Sequence, residues 1–242
     1  KGLSSAIISK IGRDAGGRQI VEDMAHEGVV TRFVQETGTL GTAYAIALIA
    51  MNGERSELVY RGASDHIDPA AVPWPECLAK WFYVSSVGGN LELIRTVVEH
   101  AHHPRAKVAW NPGSLELHQG LNKLKPILKH VEVLILNQEE AAELTNLPFE
   151  ETTKIFMTLR GLVSNMVLMT RGPEGALVAA GKYLYNCGIF PEREVADRTG
   201  AGDAFASTFA SALILGKSIE EALRWAPINS AFVVQEIGAQ KG

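Results

Sequence analysis

The sequence predicts an α/β fold: a largely parallel central sheet covered by helices, with a small β lid inserted near its start. Three observations carry this. From about residue 80, short apolar strand-like runs alternate with helical runs, the pattern of a parallel sheet packed between helices. Between residues 31 and 61 the alternation stops. Two β-branched runs, 42–50 and 56–60, flank Asn52-Gly53 there, a strong hairpin signal. The apolar run at 131–136 leads straight into Asn137-Gln138-Glu139-Glu140. Polar groups then stand at the carboxyl end of the sheet, where open α/β folds bind ligands. Residues 1–30 and 71–242 are assigned to the α/β core, and 31–70 to the lid.

Residues 6–12, Ala-Ile-Ile-Ser-Lys-Ile-Gly, read as a buried strand. A helix follows over 14–27, capped by Asp14, stopped by Gly28, with Ile20 and Met24 on one face. After the hairpin, 80–86 is a strand, 91–102 a helix and 107–110 a strand, with helical segments up to 129. Residues 131–137 form the next strand, and helices are expected at 139–144 and 152–162. Strands at 166–170 and 176–180 come next. The last helical stretches are 204–215 and 222–234, the second containing Asn229.

Residues 197–203, Asp-Arg-Thr-Gly-Ala-Gly-Asp, join the run Glu194-Val195-Ala196, read as a strand, to a helix carrying Phe205, Phe209 and Leu213 at helical spacing. Gly200, Ala201 and Gly202 leave the backbone open to close approach by a bulky anion. The helix aims its free N–H groups and positive dipole end at the same place. Asp203 stands in the first turn beside that anion. A backbone cradle with an adjacent carboxylate suits phosphoryl transfer to a hydroxyl, the carboxylate accepting the proton. A tight turn ending in a capping Asp is the plainer account of Gly-x-Gly-Asp alone. At 137–140, spacing alone favours a helix start capped by Asn137, with carboxylates that could also hold magnesium. At 170–175, Thr-Arg-Gly-Pro-Glu-Gly makes a good turn between strands.

The heptapeptide closely resembles the Asp-Thr-x-Gly-Ala-Gly-Asp motif of the ribokinase-like sugar kinases, the PfkB carbohydrate kinase family. Arg198 stands where that family usually has Thr or Ser. The resemblance implies a three-layer sandwich, ATP and magnesium as cofactors, and a sugar or sugar-like acceptor under the lid. It makes Asp203 the catalytic base and Gly200, Ala201 and Gly202 the anion hole. Asn137-x-x-Glu140 matches the family's second motif, so both residues are placed near the phosphates, Glu140 reaching magnesium through water. Thr170, Gly172, Gly175, Thr199 and Asn229 are placed along the nucleotide, and Asn111-Pro112-Gly113 near the cleft. A homodimer through the lid is compatible with this reading. A nucleoside kinase of the same family and a nucleotide-binding regulator without catalysis are the alternatives. The family's acidic first strand and Gly-Gly-Asn loop, which grip the sugar, have no counterpart in the sequence after Lys1. The end at 238–242 is expected to be short by one element.

Composition narrows the classes. Of 242 residues, 46% are hydrophobic and 21% charged, ordinary for a globular enzyme. The formal net charge of −4 argues against a nucleic-acid partner. No run is long and apolar enough to span a bilayer, and no leader pattern stands at Lys1. Cys77 and Cys187 have neither redox nor zinc spacing. A cytoplasmic enzyme is expected. Residues 175–182 imitate a Walker A loop, but five residues separate the glycines and Tyr183 stands where Ser or Thr is needed. His100-Ala101-His102-His103 reads as a helix end. No Gly-x-Gly-x-x-Gly follows an early strand, which argues against a dinucleotide-dependent oxidoreductase.

Overall fold

A computed structural model describes residues 2–49, 55–103, 105–191 and 195–238. The turn at Asn52-Gly53, Glu194 and the terminal 239–242 lie outside the described residues. The chain divides into two compact units, Lys1–Leu78 with Val87–Thr96, and Ala79–Ser86 with Val97–Gly242.

In the first unit, β1 (Ala6–Gly12) leads through α1 (Ala15–His26) to β2 (Val30–Thr37), and the two strands pair in parallel. β1 is less buried than its apolar sequence predicts: only Ile11 and Gly12 are enclosed. A two-stranded sheet offers it one neighbour, and that covers little. β3 (Tyr44–Ile49) and β4 (Arg55–Tyr60) form the expected antiparallel pair, with Tyr44 opposite Tyr60. Residues 1–30 thus share a unit with the hairpin.

Asp14 ties this unit together. Its carboxylate caps α1 by accepting from Gly17 N–H at 2.8 Å, and it accepts Thr42 N–H at 2.8 Å and Thr42 Oγ1 at 2.7 Å. Glycine at position 17 is needed for closeness: a Cβ there would lie 2.4 Å from the Gly12 carbonyl. The Thr42 hydroxyl, the Thr42 N–H and the Gly17 N–H together hold the Asp14 carboxyl at about 2, below its ordinary 3.8. A depressed carboxylate stabilises the fold above its unfolded pKa, and that contribution disappears as pH falls through the folded value. Asp14→Asn should therefore melt below wild type at neutral pH, because the amide turns an N–H toward Thr42 N–H. The gap should close between about pH 4 and pH 2. Melting curves across that range check it; a gap independent of pH would remove the carboxylate from the account.

The second unit holds a six-stranded sheet in the order β10-β9-β8-β7-β6-β5. Its parallel part is β5 (Trp81–Val84), β6 (Lys107–Trp110), β7 (Val133–Asn137) and β8 (Met166–Thr170). β9 (Ala176–Ala180) and β10 (Tyr183–Cys187) are antiparallel additions, so 175–182 holds β9 and the turn into β10 rather than a loop before a helix. The helices are α2 (Leu91–His102, shared between the units), α3 (Ser114–Leu117), α4 (Leu121–Leu128), α5 (Gln138–Thr145), α6 (Thr152–Arg160), α7 (Ala201–Ile214) and α8 (Ile219–Val233).

Alternation along the strands builds two cores. Val133, Ile135, Met166 and Leu168 face Phe205, Phe209, Ala222 and Ala226 of α7 and α8. Leu134, Leu136, Val167 and Met169 point the other way and are equally buried, on the side of α5 and α6 with their buried Leu144, Ile155 and Leu159. Small residues on α7, Ala206, Ala210 and Ala212, let it lie close. The result is a mostly parallel sheet with helices on both sides.

Candidate active site

Strand ends bring the polar residues to one rim. Asn137 closes β7 and Thr170 closes β8, and the two pair across the sheet. Asn137 also starts α5 through a reciprocal cap: its Oδ1 accepts Glu140 N–H at 2.8 Å, and Glu140 Oε2 accepts Asn137 N–H at 2.9 Å. One carboxylate oxygen of Glu140 is thereby committed to the backbone. Burial pushes the Glu140 carboxyl upward; the Asn137 N–H opposes this, and the Asp203 charge adds to it.

After β8 the chain turns at Gly172, φ 52°, and Gly175, φ 81°. A Cβ on Gly175 would stand 1.9 Å from the Cys187 carbonyl. This glycine holds the turn against the end of β10. Arg171 is consumed within the turn, donating to Glu174 Oε2 at 2.8 Å and to its carbonyl at 3.1 Å.

The 197–203 segment differs from expectation at its entrance. Val195 and Ala196 form no strand. The N–H groups of Ala196 and Asp197 bond instead to the Val234 carbonyl, at 2.8 and 3.2 Å, past the end of α8. Thr199 is turned toward Asp197 Oδ1, to which its N–H donates at 3.0 Å and its hydroxyl at 2.6 Å. Gly200 takes the left-handed conformation, φ 79°, and α7 starts at Ala201, three residues earlier than its apolar pattern suggests. Gly202 and Asp203 therefore lie in the first turn. Among the described residues their N–H groups meet no backbone acceptor, as expected at a helix start. Ser230 donates to the Ala201 carbonyl at 3.0 Å and locks α8 against this turn.

These elements enclose a cavity of about 250 Å³. Asn137, Thr170, Gly172, Gly175, Ala201 and Gly202, all singled out in the sequence, line it. Arg198, within the 197–203 motif, lines it too, as do Ile189, Phe190, Phe205, Pro227 and Ala231, which carried no local signal of doing so. Pro227 removes an N–H from the interior of α8, and the freed Leu223 carbonyl accepts from Cys187 Sγ at 3.1 Å. Thr199, Gly200, Glu140 and Asp203 stand outside the lining. Asn229 also stands apart: its amide donates to Thr208 Oγ1 at 2.9 Å, and it borders a different hollow beside Trp225, Ile228 and Phe232. Asp203 is exposed. Its charge reaches both Glu140 and Tyr83, whose hydroxyl is pushed well up by burial first and by Asp203 second. Tyr83, on β5, is a neighbour that no motif announces.

Near Asn111-Pro112-Gly113, a fully buried Glu116 accepts Gly113 N–H at 2.7 Å and Ser86 Oγ at 3.0 Å, which shapes this loop from within. Among the described residues no group of three or more His, Cys, Asp and Glu could hold a metal by itself. Among the described residues no helix is long and apolar enough to cross a membrane.

The family model of the pfkB family carbohydrate kinases matches residues 2–242. The chain is 30% identical over 249 residues to a ribokinase of Bacillus subtilis, covering all of this chain and 78% of that protein. It is 28% identical over 243 residues to a ribokinase of Arabidopsis thaliana, covering 96% of this chain but 62% of the relative's length. The solved structure of Arabidopsis thaliana ribokinase complexed with ribose and ATP superposes with a TM-score of 0.81 at 24% identity, over 98% of this chain and 77% of that one.

Proposed function

The chain belongs to the pfkB family of carbohydrate kinases, and from that premise we propose that it transfers the γ-phosphate of ATP to a hydroxyl of a sugar or sugar-like acceptor. One observation carries the reading. The free N–H end of α7 opens into a cavity that also takes in the ends of β7 and β8, and Asp203 stands beside it in the same helical turn. Backbone donors at a helix start favour negative charge, and preorganised donors act most strongly where charge develops in the transition state.

In this reading the apolar side of the cavity, Ile189, Phe190, Phe205 and Pro227, takes the base. Gly202, Ala201 and Asn137 meet the phosphates. Asp203 orients the acceptor hydroxyl and accepts its proton. Phosphoryl transfer asks little covalent chemistry of a protein, so alignment of the hydroxyl contributes more than basicity. Magnesium, arriving with the nucleotide, would neutralise phosphate charge. Glu140 suits it as a carboxylate reaching through water, since magnesium usually takes one or two protein carboxylates and fills its shell with phosphate oxygens and water. The absence of a larger acidic cluster among the described residues fits that habit.

A coupled assay of ADP release tests the reading, with magnesium-ATP and a panel of pentoses, hexoses and nucleosides, and with products weighed by mass spectrometry. Acceptor-dependent ADP release with a phosphorylated sugar is the expected result. Phosphorylation confined to nucleosides would shift the assignment to a nucleoside kinase. Tight ATP binding with no turnover on any acceptor would favour a nucleotide-binding regulator.

A further inference from the structure

We propose that Tyr83 helps to select the acceptor: its phenol hydroxyl hydrogen-bonds one hydroxyl of the sugar while Asp203 takes the reacting one. This rests on the kinase reading of the cavity and of Asp203. The cavity occupies one half of the rim. Its lining comes from the ends of β7 and β8, the 172–175 turn, the segment after β10, Arg198, and helices α7 and α8. Among the described residues none of β5 or β6 lines it. Asp203 stands outside that lining, and its charge is felt by Glu140 just beyond β7 and by Tyr83 on β5. The strands run in the order β7-β6-β5 there. An acceptor held against Asp203 on the side away from the nucleotide therefore lies over the ends of β6 and β5.

Strand geometry brings Tyr83 to that place. Side chains two residues apart on a strand share a face. Trp81 packs against the core cluster that contains Phe205, Phe209 and Ala109, so Tyr83 also lies on the α7 side of the sheet. The register agrees, because Tyr83 pairs with Ala109 of the same cluster. Tyr83 stands roughly 6–7 Å nearer the carboxyl end of the strand than Trp81. That is the end where α7 starts, with Asp203 in its first turn. Tyr83 is 39% exposed although the next residue, Val84, is buried, so it is open to solvent at the rim. Among the described residues its hydroxyl has no hydrogen-bond partner. Burial first and Asp203 second push that hydroxyl up, so it stays protonated and can donate as well as accept. Each hydroxyl of a sugar offers both kinds of partner.

Steady-state kinetics of the full chain test this on wild type and Tyr83→Phe. The acceptors are D-ribose, D-fructose and adenosine, with the monodeoxy analogues of whichever is phosphorylated. Tyr83→Phe should raise the acceptor KM by about 3- to 10-fold, the range of one neutral hydrogen bond. Its kcat and its calorimetric ATP affinity should stay nearly unchanged, as for an interaction made equally before and in the transition state. Wild type should discriminate against one deoxy analogue, the one lacking the hydroxyl that Tyr83 meets, and Tyr83→Phe should lose that discrimination. A change of packing alone would not single out one hydroxyl. If Tyr83→Phe keeps the wild-type acceptor KM and the wild-type ranking of analogues, the proposal fails while the kinase reading stands. If it weakens ATP as much as the acceptor, Tyr83 supports the rim rather than reading the acceptor, and the proposal again fails. If wild type phosphorylates none of the acceptors, the kinase reading fails, and the proposal with it. Should Tyr83→Phe melt early, the ratio of kcat/KM between analogues carries the same comparison, because it does not depend on how much enzyme is folded.

Discussion

Asp203→Asn is expected to lower turnover by about 10²- to 10⁴-fold, the usual contribution of a positioned proton acceptor, and to leave ATP affinity nearly unchanged. Asp203 stands outside the lining of the cavity but in the same helical turn as Gly202, so in the proposed reading its carboxylate meets the acceptor rather than the nucleotide. Asn is nearly the same size and also tolerates a helix start, which keeps the fold out of the comparison. Removing the charge should also relax Glu140 and Tyr83, both of which Asp203 pushes upward. A variant keeping more than about a tenth of wild-type kcat would set the base assignment aside. Loss of ATP binding with kcat intact would move Asp203 to the nucleotide.

Gly202→Val should reduce ATP affinity by about 100-fold or more while the protein remains folded. A Cβ at this position meets nothing within 4 Å, and the residue is exposed. Valine is a better helix former than glycine, so the substitution adds no propensity cost to the helix. Its branched side chain would nonetheless project where Gly202 lines the cavity, and block an anion from the helix N–H groups. Gly175 makes the contrasting case. With φ at 81° and the Cys187 carbonyl 1.9 Å from the added atom, a substitution there strains the fold itself. The expected outcomes for the two glycines of one rim thus differ: loss of ligand binding at Gly202, loss of fold at Gly175. Calorimetry with a parallel melting curve reads both. Wild-type ATP affinity in folded Gly202→Val would remove the start of α7 from the anion site.

The features legible in the residues alone were local. Strand and helix periods are complete within a few residues, and so are caps. Asp14 caps α1 and Asn137 caps α5 as their spacing implies. The hairpin strands pair around Asn52-Gly53, which lies outside the described residues. Gly200 marks a helix start because its left-handed conformation, φ 79°, is one that glycine adopts most readily. The family resemblance was legible for the same reason, since its motifs are short and contiguous.

Convergence was decided by the tertiary structure. Phe190, Arg198, Phe205 and Pro227 share one cavity only because β7 and β8 end together and α7 packs against α8. Asn229 faces Thr208 instead, because α8 turns that side toward α7 rather than toward the cavity. Ala196 stays out of the sheet, and its N–H and that of Asp197 go to the Val234 carbonyl instead. β1 is left half covered because, among the described residues, β2 is its only strand partner. Each of these outcomes depends on pairings between residues far apart in the chain. A linear pattern records which face of an element is apolar, but not which neighbour will cover it.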